Sequence, residues 1–307
     1  MLFGGGEEMK KETTCIDSIS QYNNYMGCRT LHPLVSVINL SEATPVQPPC
    51  LNMACYVICL KEDSEHLACY GRKSYDYQDG VLVCFTPAHF MNPEKRNCIY
   101  RSKGYLLILH ADLVQCTSLG ANLPKYTFLS YRSDEALHLS LREKTLILEC
   151  IHHIDRELQH CVDKFSSELI AKYVGLLLDY CARFYERQFI TRSDANKVVV
   201  QKALNLTATY FESPGHCSCK LPTADYFAEH LQLSSCYFDD LIRMETGKNT
   251  SEFVKCQRFE IAKDWLRSTD KSIQQIATQL GFCSVQYFSF LFKKLMDCSP
   301  QDYRLSC

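Results

Sequence analysis

The feature that most constrains this chain is an internal repeat near its end. In the run SIQQIATQLGFCSVQYFSFLFKKLMDCSPQDYR, Ser272 to Arg304, residues Ile273, Ile276, Ala277 and Leu280 recur at helical spacing and Gly281 then interrupts. A second amphipathic stretch, Ser284 to Leu295, carries Phe288, Leu291, Phe292 and Leu295 on one face. Ser272 followed three residues later by Gln275 is a capping-box start, and Gly281 supplies the left-handed backbone of a sharp turn. The pattern predicts helix, tight turn, helix. About fifty residues upstream, Tyr237-Phe238-x-x-Leu241-Ile242-Arg243 matches Tyr287-Phe288-x-x-Leu291-Phe292-Lys293, and Ala228, Leu231 and Leu233 precede it as Ala277, Leu280 and Phe282 precede the second. An apolar helical face is by default the inside of a domain. Two copies of one helix-turn-helix raise the prospect of a DNA reader.

The 307 residues suffice for two domains with separate cores. With 46% hydrophobic and 22% charged residues the chain is of globular type, and no apolar run is long enough to span a bilayer. The start, MLFGGGEEMKKETT, has no apolar signal-peptide core, so a cytoplasmic location is expected. The 19 cysteines are then thiols, and those in periodic segments, such as Cys150, Cys161 and Cys181, read as small buried hydrophobes. Net charge is -2, but from Arg243 to Lys294 nine basic side chains face five acidic ones. From Asp194 to the end 13 Lys and Arg balance 13 Asp and Glu, so the positive charge is local and points only weakly to a phosphate-contacting face.

Residues 1–30 are polar and mixed and read as a mobile lead-in. From Pro33 to Ala111 the runs LVSVINL, ACYVICL, LACYG, GVLVCFTP and GYLLILH are short β-rich segments between turn-forming clusters, as in a small barrel or jelly roll. Beyond Glu135 the period becomes helical. One stripe runs through Leu141, Leu148, Ile151, Ile154 and Leu158, and another through Leu169, Tyr173, Leu176, Leu177, Tyr180 and Phe184. These two helices are expected to pack on the barrel and, in part, on a second subunit. Residues 186–196 are polar without a stripe and read as a linker, and a helix from Lys197 to Phe211 follows. A helix from about Ser251 to Leu266, carrying Phe253, Ile261, Ala262 and Trp265, joins the repeats.

The end of the chain resembles the AraC/XylS transcription regulators, whose second motif reads IAxxxGFxxxxYFxxxFKKxxGxSPxxYR. Ile276-Ala277, Gly281-Phe282, Tyr287-Phe288, Phe292-Lys293-Lys294, Ser299-Pro300 and Tyr303-Arg304 occupy those places. The front half is similar, more diffusely, to the sensor of Bacteroidetes-type members, through Leu31-His32-Pro33, Tyr70-Gly71-Arg72, Tyr75-Asp76, Pro87, Arg183-Phe184-Tyr185 and Arg187-Gln188-Phe189. The resemblance implies an α+β chain: a cupin-like β-barrel with dimerising helices over residues 31–185, and an all-α domain with two helix-turn-helix motifs over 197–307. It implies double-stranded promoter or operator DNA, a small-molecule effector, a second copy of the chain and RNA polymerase as partners, with no enzymatic activity, cofactor or membrane association.

In such a module two short helices enter successive major-groove segments roughly 34 Å apart. By match to the family pattern, Cys236, Asp239 and Asp240 face the groove from the first recognition helix, and Ser284, Val285, Gln286, Ser289 and Phe290 from the second. Gln286 can pair with an adenine edge, and Ser284 and Ser289 reach bases or phosphates. Lys293, Lys294, Arg243 and Lys248 are phosphate candidates. Three departures from the pattern stand out, over four residues. Phe290 stands where many relatives have Arg, and either touches a thymine methyl or packs. Asp239 and Asp240 either accept from cytosine or, at Asp240, cap or orient a neighbour. Asp297 replaces the customary Gly, which Asp tolerates better than most residues. A solvated surface is the plain alternative for each exposed polar residue.

For the barrel, Tyr56, Tyr70, Tyr75 and Phe85 are candidate effector-lining aromatics, against the alternative that they form core. Two rival functions attach to the same chain. One is a metal-dependent cupin enzyme using His66, His89 and His110. The other is a thiol or metal sensor using His216, Cys217 and Cys219. Ser-His-Asp and phosphate-loop spacings are lacking, which leaves no case for a hydrolase or nucleotidase.

Overall fold

The computed structural model describes residues 13–44, 50–62, 76–87, 103–213 and 220–306, which divide into two compact units, residues 1–191 and 192–307. The first unit is built on β-branched and leucine-rich strands. In chain order it contains β1 (Thr13–Ile16), α1 (Ile19–Met26), β2 (Val35–Asn39), β3 (Cys50–Met53), β4 (Cys55–Lys61), β5 (Gly80–Phe85) and β6 (Gly104–His110). Short helices α2 (Ala111–Gln115) and α3 (Ser118–Asn122), then β7 (Leu137–Leu139), α4 (Leu141–Leu158) and α5 (Ser166–Thr191), complete it. β1 and β3 pair in parallel, while the other five form an antiparallel sheet in the order β2-β6-β4-β5-β7. Among the described residues this sheet is open at β2 and β7, so the chain is α+β but the described strands do not close into the expected barrel.

Strand alternation assigns the two sheet faces. Val57, Cys59, Val83, Phe85, Leu106 and Ile108 lie on one face, with Ile19, Tyr22 and Met26 of α1 in the same core. The 1–30 lead-in expectation is therefore corrected: from Thr13 it is a strand and a helix. Ser18 caps α1, and Asn23 of α1 accepts a 2.7 Å bond from Ser36 of β2. Burying Ile19, Tyr22 and Met26 almost completely holds this segment in place, at about 1.5–3 kcal/mol for each large side chain.

α4 and α5 pack on each other and against β2 and β7. Cys150 and Cys181 are buried as expected, but Cys161 is exposed because it precedes α5 in a loop. The helical stripe is shifted too: Ile147, Cys150, Ile151, Ile154 and Leu158 are buried, while Leu141, at the first turn of α4, is exposed. Residues 186–196, expected as a linker, are helical on either side of Arg192. Among the described residues, no helix is long and apolar enough to cross a membrane.

The second unit is helical: α6 (Ser193–Glu212), α7 (Ala224–Leu231), α8 (Ser235–Thr246), α9 (Thr250–Ser268), α10 (Ile273–Gln279), α11 (Val285–Met296) and α12 (Pro300–Leu305). Its aromatic core joins Phe211 and Trp265 to Phe282, Phe288, Phe292 and Tyr303.

Candidate nucleic-acid interface

The two helix pairs α7–α8 and α10–α11 are built by the same local bonds. Each first helix ends on a left-handed residue, Gln232 (φ 57°) in one and Gly281 (φ 74°) in the other. Beyond it the Leu233 and Phe282 N–H groups donate back to the Ala228 and Ala277 carbonyls at 3.0 and 2.9 Å, a Schellman closure. Ser234 and Ser284 then cap the second helices, accepting from the Tyr237 and Tyr287 N–H groups. Each second helix ends left-handed again, at Gly247 (φ 70°) and Asp297 (φ 56°). The second turn is one residue longer, by Cys283. Gly281, Asp297 and the Ser272–Gln275 capping box take the conformations their sequence implied.

α9 joins the pairs and is fixed from both sides. Asn249 and Glu252 form a capping box at its start, and Phe253, Val254, Ala262, Trp265 and Leu266 are buried. Arg258 lies over the Phe282 ring, 3.3 Å from its centroid, and donates to the Leu280 carbonyl at 2.6 Å. Arg304 of α12 donates to the carbonyls of Leu266 and Lys271 at 3.2 and 2.7 Å. These arginines bond the turn and the end of the joining helix, so both act as braces.

α11 has one buried side, Phe288 and Phe292, and an outward side opposite it. At about 100° per residue, Gln286, Phe290, Lys293 and Lys294 fall within a sector of about 100°. All four are exposed, Phe290 by 64%, so it does not pack. The two lysines and Gln286 have no side-chain partner among the described residues. One sequence expectation changes here, at Leu295. Val285 is half-buried against the core, the Ser284 hydroxyl is engaged as the helix cap, and Leu295, expected on the apolar side, is 58% exposed at the frayed end of the stripe. Ser289 is half-buried at the edge of the outward face.

α8 presents a different face. Asp239 accepts from the Thr250 N–H at 2.8 Å and from Arg243 Nη2 at 2.8 Å. It thereby satisfies one of the unpaired N–H donors in the first turn of α9. Both carboxylate oxygens of Asp239, expected from the sequence at a cytosine edge, are thus engaged inside the module. Asp240 lies 3.8 Å from Arg243 Nη1, so the guanidinium is shared by two carboxylates. Arg243 is thus an ion-paired side chain, unlike the lysines of α11. Cys236 is half-buried, and Lys248 is exposed just past the Gly247 cap.

A family model described as "Helix-turn-helix domain" matches residues 227–306, the span that holds both motifs. The chain is 34% identical over 80 residues to the regulatory protein SoxS of Salmonella typhimurium, which covers 26% of this chain and 75% of SoxS. The chain belongs to the AraC/XylS family of DNA-binding transcription regulators. The HTH-type transcriptional regulator YfiF of Bacillus subtilis is 29% identical over 250 residues, 81% of this chain and 76% of YfiF. The xylose operon regulatory protein of Haemophilus influenzae is 29% identical over 92 residues, 30% of this chain and 24% of its own length.

Of the candidate effector residues, Tyr56 and Phe85 are described. Val57 of β4 pairs with Phe85 of β5, so Phe85 shares its face and Tyr56, the next residue, projects from the opposite one. Phe85 is core, Tyr56 is half-buried, and the two cannot line one pocket. Tyr70 and Tyr75 lie outside the described residues, as do His66, His89, His216, Cys217 and Cys219. His110 is engaged locally: its Nδ1 accepts from the Asp112 N–H at 3.2 Å, and its Nε2 lies 3.2 Å from the Asp17 carbonyl. The sequence missed a groove of about 580 Å³ in this unit, lined among others by Arg29, Asn39, Glu42, Tyr105, His152 and Asp155. Burial, with Glu62, Glu42 and Asp155 adding negative charge, raises the Tyr105 hydroxyl above its ordinary pKa. These residues come from four separate stretches, and no periodicity marks them as neighbours.

Proposed function

We propose that this AraC-type regulator binds promoter DNA as a homodimer in the cytoplasm, placing α8 and α11 in successive major-groove segments and acting without catalysis. The observation that carries the reading is the outward face of α11, where Gln286, Phe290, Lys293 and Lys294 stand opposite the buried Phe288 and Phe292. Lys293, Lys294 and Lys248 attract phosphates and fix register, Arg243 contributes when released from its carboxylates, and Gln286 and Ser289 reach base edges. Ser284, Val285, Cys236, Asp239 and Asp240 shape and hold the two helices. Fluorescence anisotropy with promoter fragments across a salt series tests this: affinity falls steeply with salt, and a flat, salt-insensitive signal up to micromolar protein refutes it.

A small polar molecule in the groove beside β2 and α4 is the proposed effector, with RNA polymerase a further partner at the promoter. The ligand must bind one presentation of the DNA-binding unit better than another to shift regulation. Leu169 and Leu176, seven residues apart on α5, are exposed, as are Val162 and Phe165 in the segment just before it, which supports dimerisation there. Sedimentation of a Leu169→Glu, Leu176→Glu variant is expected to give a monomer where the parent chain gives a dimer.

A further inference from the structure

Resting on the DNA-reading role above, we propose that the two motifs divide the work: α11 reads an A·T-containing half-site through Phe290 on a thymine methyl and Gln286 on an adenine, while α8 holds register. The internal repeat allows a position-by-position comparison. Gln286 and Phe290 correspond to Cys236 and Asp240. On α11 the pair is an exposed amide and an exposed ring, one helical turn apart and about 6 Å along the axis. On α8 the corresponding pair is a half-buried thiol and a half-buried carboxylate facing Arg243, and neighbouring Asp239 is committed to the Thr250 N–H. α8 therefore lacks both groups that would read an A·T pair in this way.

Phe290 is the decisive residue. It sits at the centre of the side of α11 away from the core, 64% exposed, between Gln286 and the two lysines. Leaving a large ring in water there gives the fold nothing, since Gln286, Lys293 and Lys294 around it are polar and Tyr287 beside it is also exposed. In the major groove the thymine methyl is the apolar group presented by the base edges, and a bidentate side-chain amide is the natural partner of adenine N6 and N7. A helix face offering one ring and one amide is thus complementary to adjacent A·T pairs, with the lysines supplying phosphate attraction that carries no sequence information.

The test starts from duplexes selected from a random library by the full chain, measured by fluorescence anisotropy. Each thymine is replaced in turn by deoxyuridine, which removes only the methyl group. In the parent chain at least one replacement is expected to weaken binding about fourfold, the worth of one buried methyl-sized group. In Phe290→Ala that replacement has no effect, and the salt slope stays as in the parent because no charge is lost. Gln286→Ala is expected to lower discrimination for one adenine by about 5- to 150-fold. Circular dichroism checks that both surface variants fold. Deoxyuridine without effect at every position, or the same loss in Phe290→Ala, overturns the proposal while leaving DNA binding standing. Absence of salt-dependent binding to any selected duplex removes the DNA-reading role and this division of work together.

Discussion

Replacing Asp239 separates a structural acid from a base reader. In the folded chain its two oxygens serve the Thr250 N–H and the Arg243 guanidinium, both at 2.8 Å. Thr250 is buried, so Asp239→Ala leaves its N–H without an acceptor, a loss of about 1–2 kcal/mol. The Arg243 pair adds little, because the guanidinium is more than half exposed and solvent screens it. For a unit of this size the loss lowers the melting temperature by roughly 3–10 °C. Asp239→Asn keeps an oxygen for Thr250 and removes the charge, so its stability falls by only a few tenths of a kcal/mol, on the order of a weakened cap. Both variants remove one of the two carboxylates that hold Arg243, with Asp240 remaining, and the salt slope of binding to non-specific duplex is expected to steepen by up to about 0.9. Differential scanning calorimetry and anisotropy on the same preparations read the two effects. If Asp239→Asn melts like the parent but loses more than tenfold in affinity for a selected site alone, Asp239 reads a base and the reasoning fails.

Further outcomes follow from the caps, the lysines and the thiols. Asp297→Gly removes both a left-handed non-glycine residue and a carboxylate at the C-terminal end of α11, and is expected to stabilise by about 1 kcal/mol. Gly247→Ala, where an added Cβ meets nothing within 4 Å, isolates the backbone effect and destabilises by about 1 kcal/mol; equal melting temperatures for parent and both variants contradict this. Lys293→Ala and Lys294→Ala each reduce the salt slope by about 1 without changing the preferred sequence, and an unchanged slope excludes them from the phosphate contacts. Burial raises the Cys59 thiol from 9.0 to about 11, and burial with the Asp17 charge raises Cys55 to about 11. The unfolded chain sheds these protons first as pH rises, so stability is complete below about pH 9 and is lost progressively toward pH 11. Melting curves across that window show the loss, and a Cys59→Ala variant shows a shallower one. At pH 8 iodoacetamide labels exposed Cys116, Cys161 and Cys283, whereas buried Cys59, Cys84 and Cys181 react only after denaturation, as peptide mass spectrometry reports.

Much of the DNA-binding unit was legible because its signals are local. Ser272 and Gln275 form their capping box within one turn, Gly281 sets the turn, and Phe288 and Phe292 recur at the spacing of a helix with one buried side. The strands Val35–Asn39, Cys55–Lys61, Gly80–Phe85 and Gly104–His110 were equally visible as β-rich runs. α1 was not, because its polar exposed side masks three apolar residues whose value lies only in the sheet they cover.

What the sequence by itself determined is the pair of helix-turn-helix motifs, their caps and turns, and through them the family. Those features depend on residues within four or five positions of one another, a range over which periodicity and side-chain chemistry act without reference to the fold. Only the tertiary structure decided which polar groups are left to meet a ligand. Asp239 is taken by Thr250, eleven residues away, and Arg243 by two acids of its own helix. Phe290 remains in water because Phe288 and Phe292 fix which side of α11 the core occupies. In the first unit, strand pairing sends Tyr56 and Phe85 to opposite faces and gathers Arg29, Asn39, Tyr105 and Asp155 around one groove. A side chain's availability depends on every element packed near it, and that information exists only once distant segments have met.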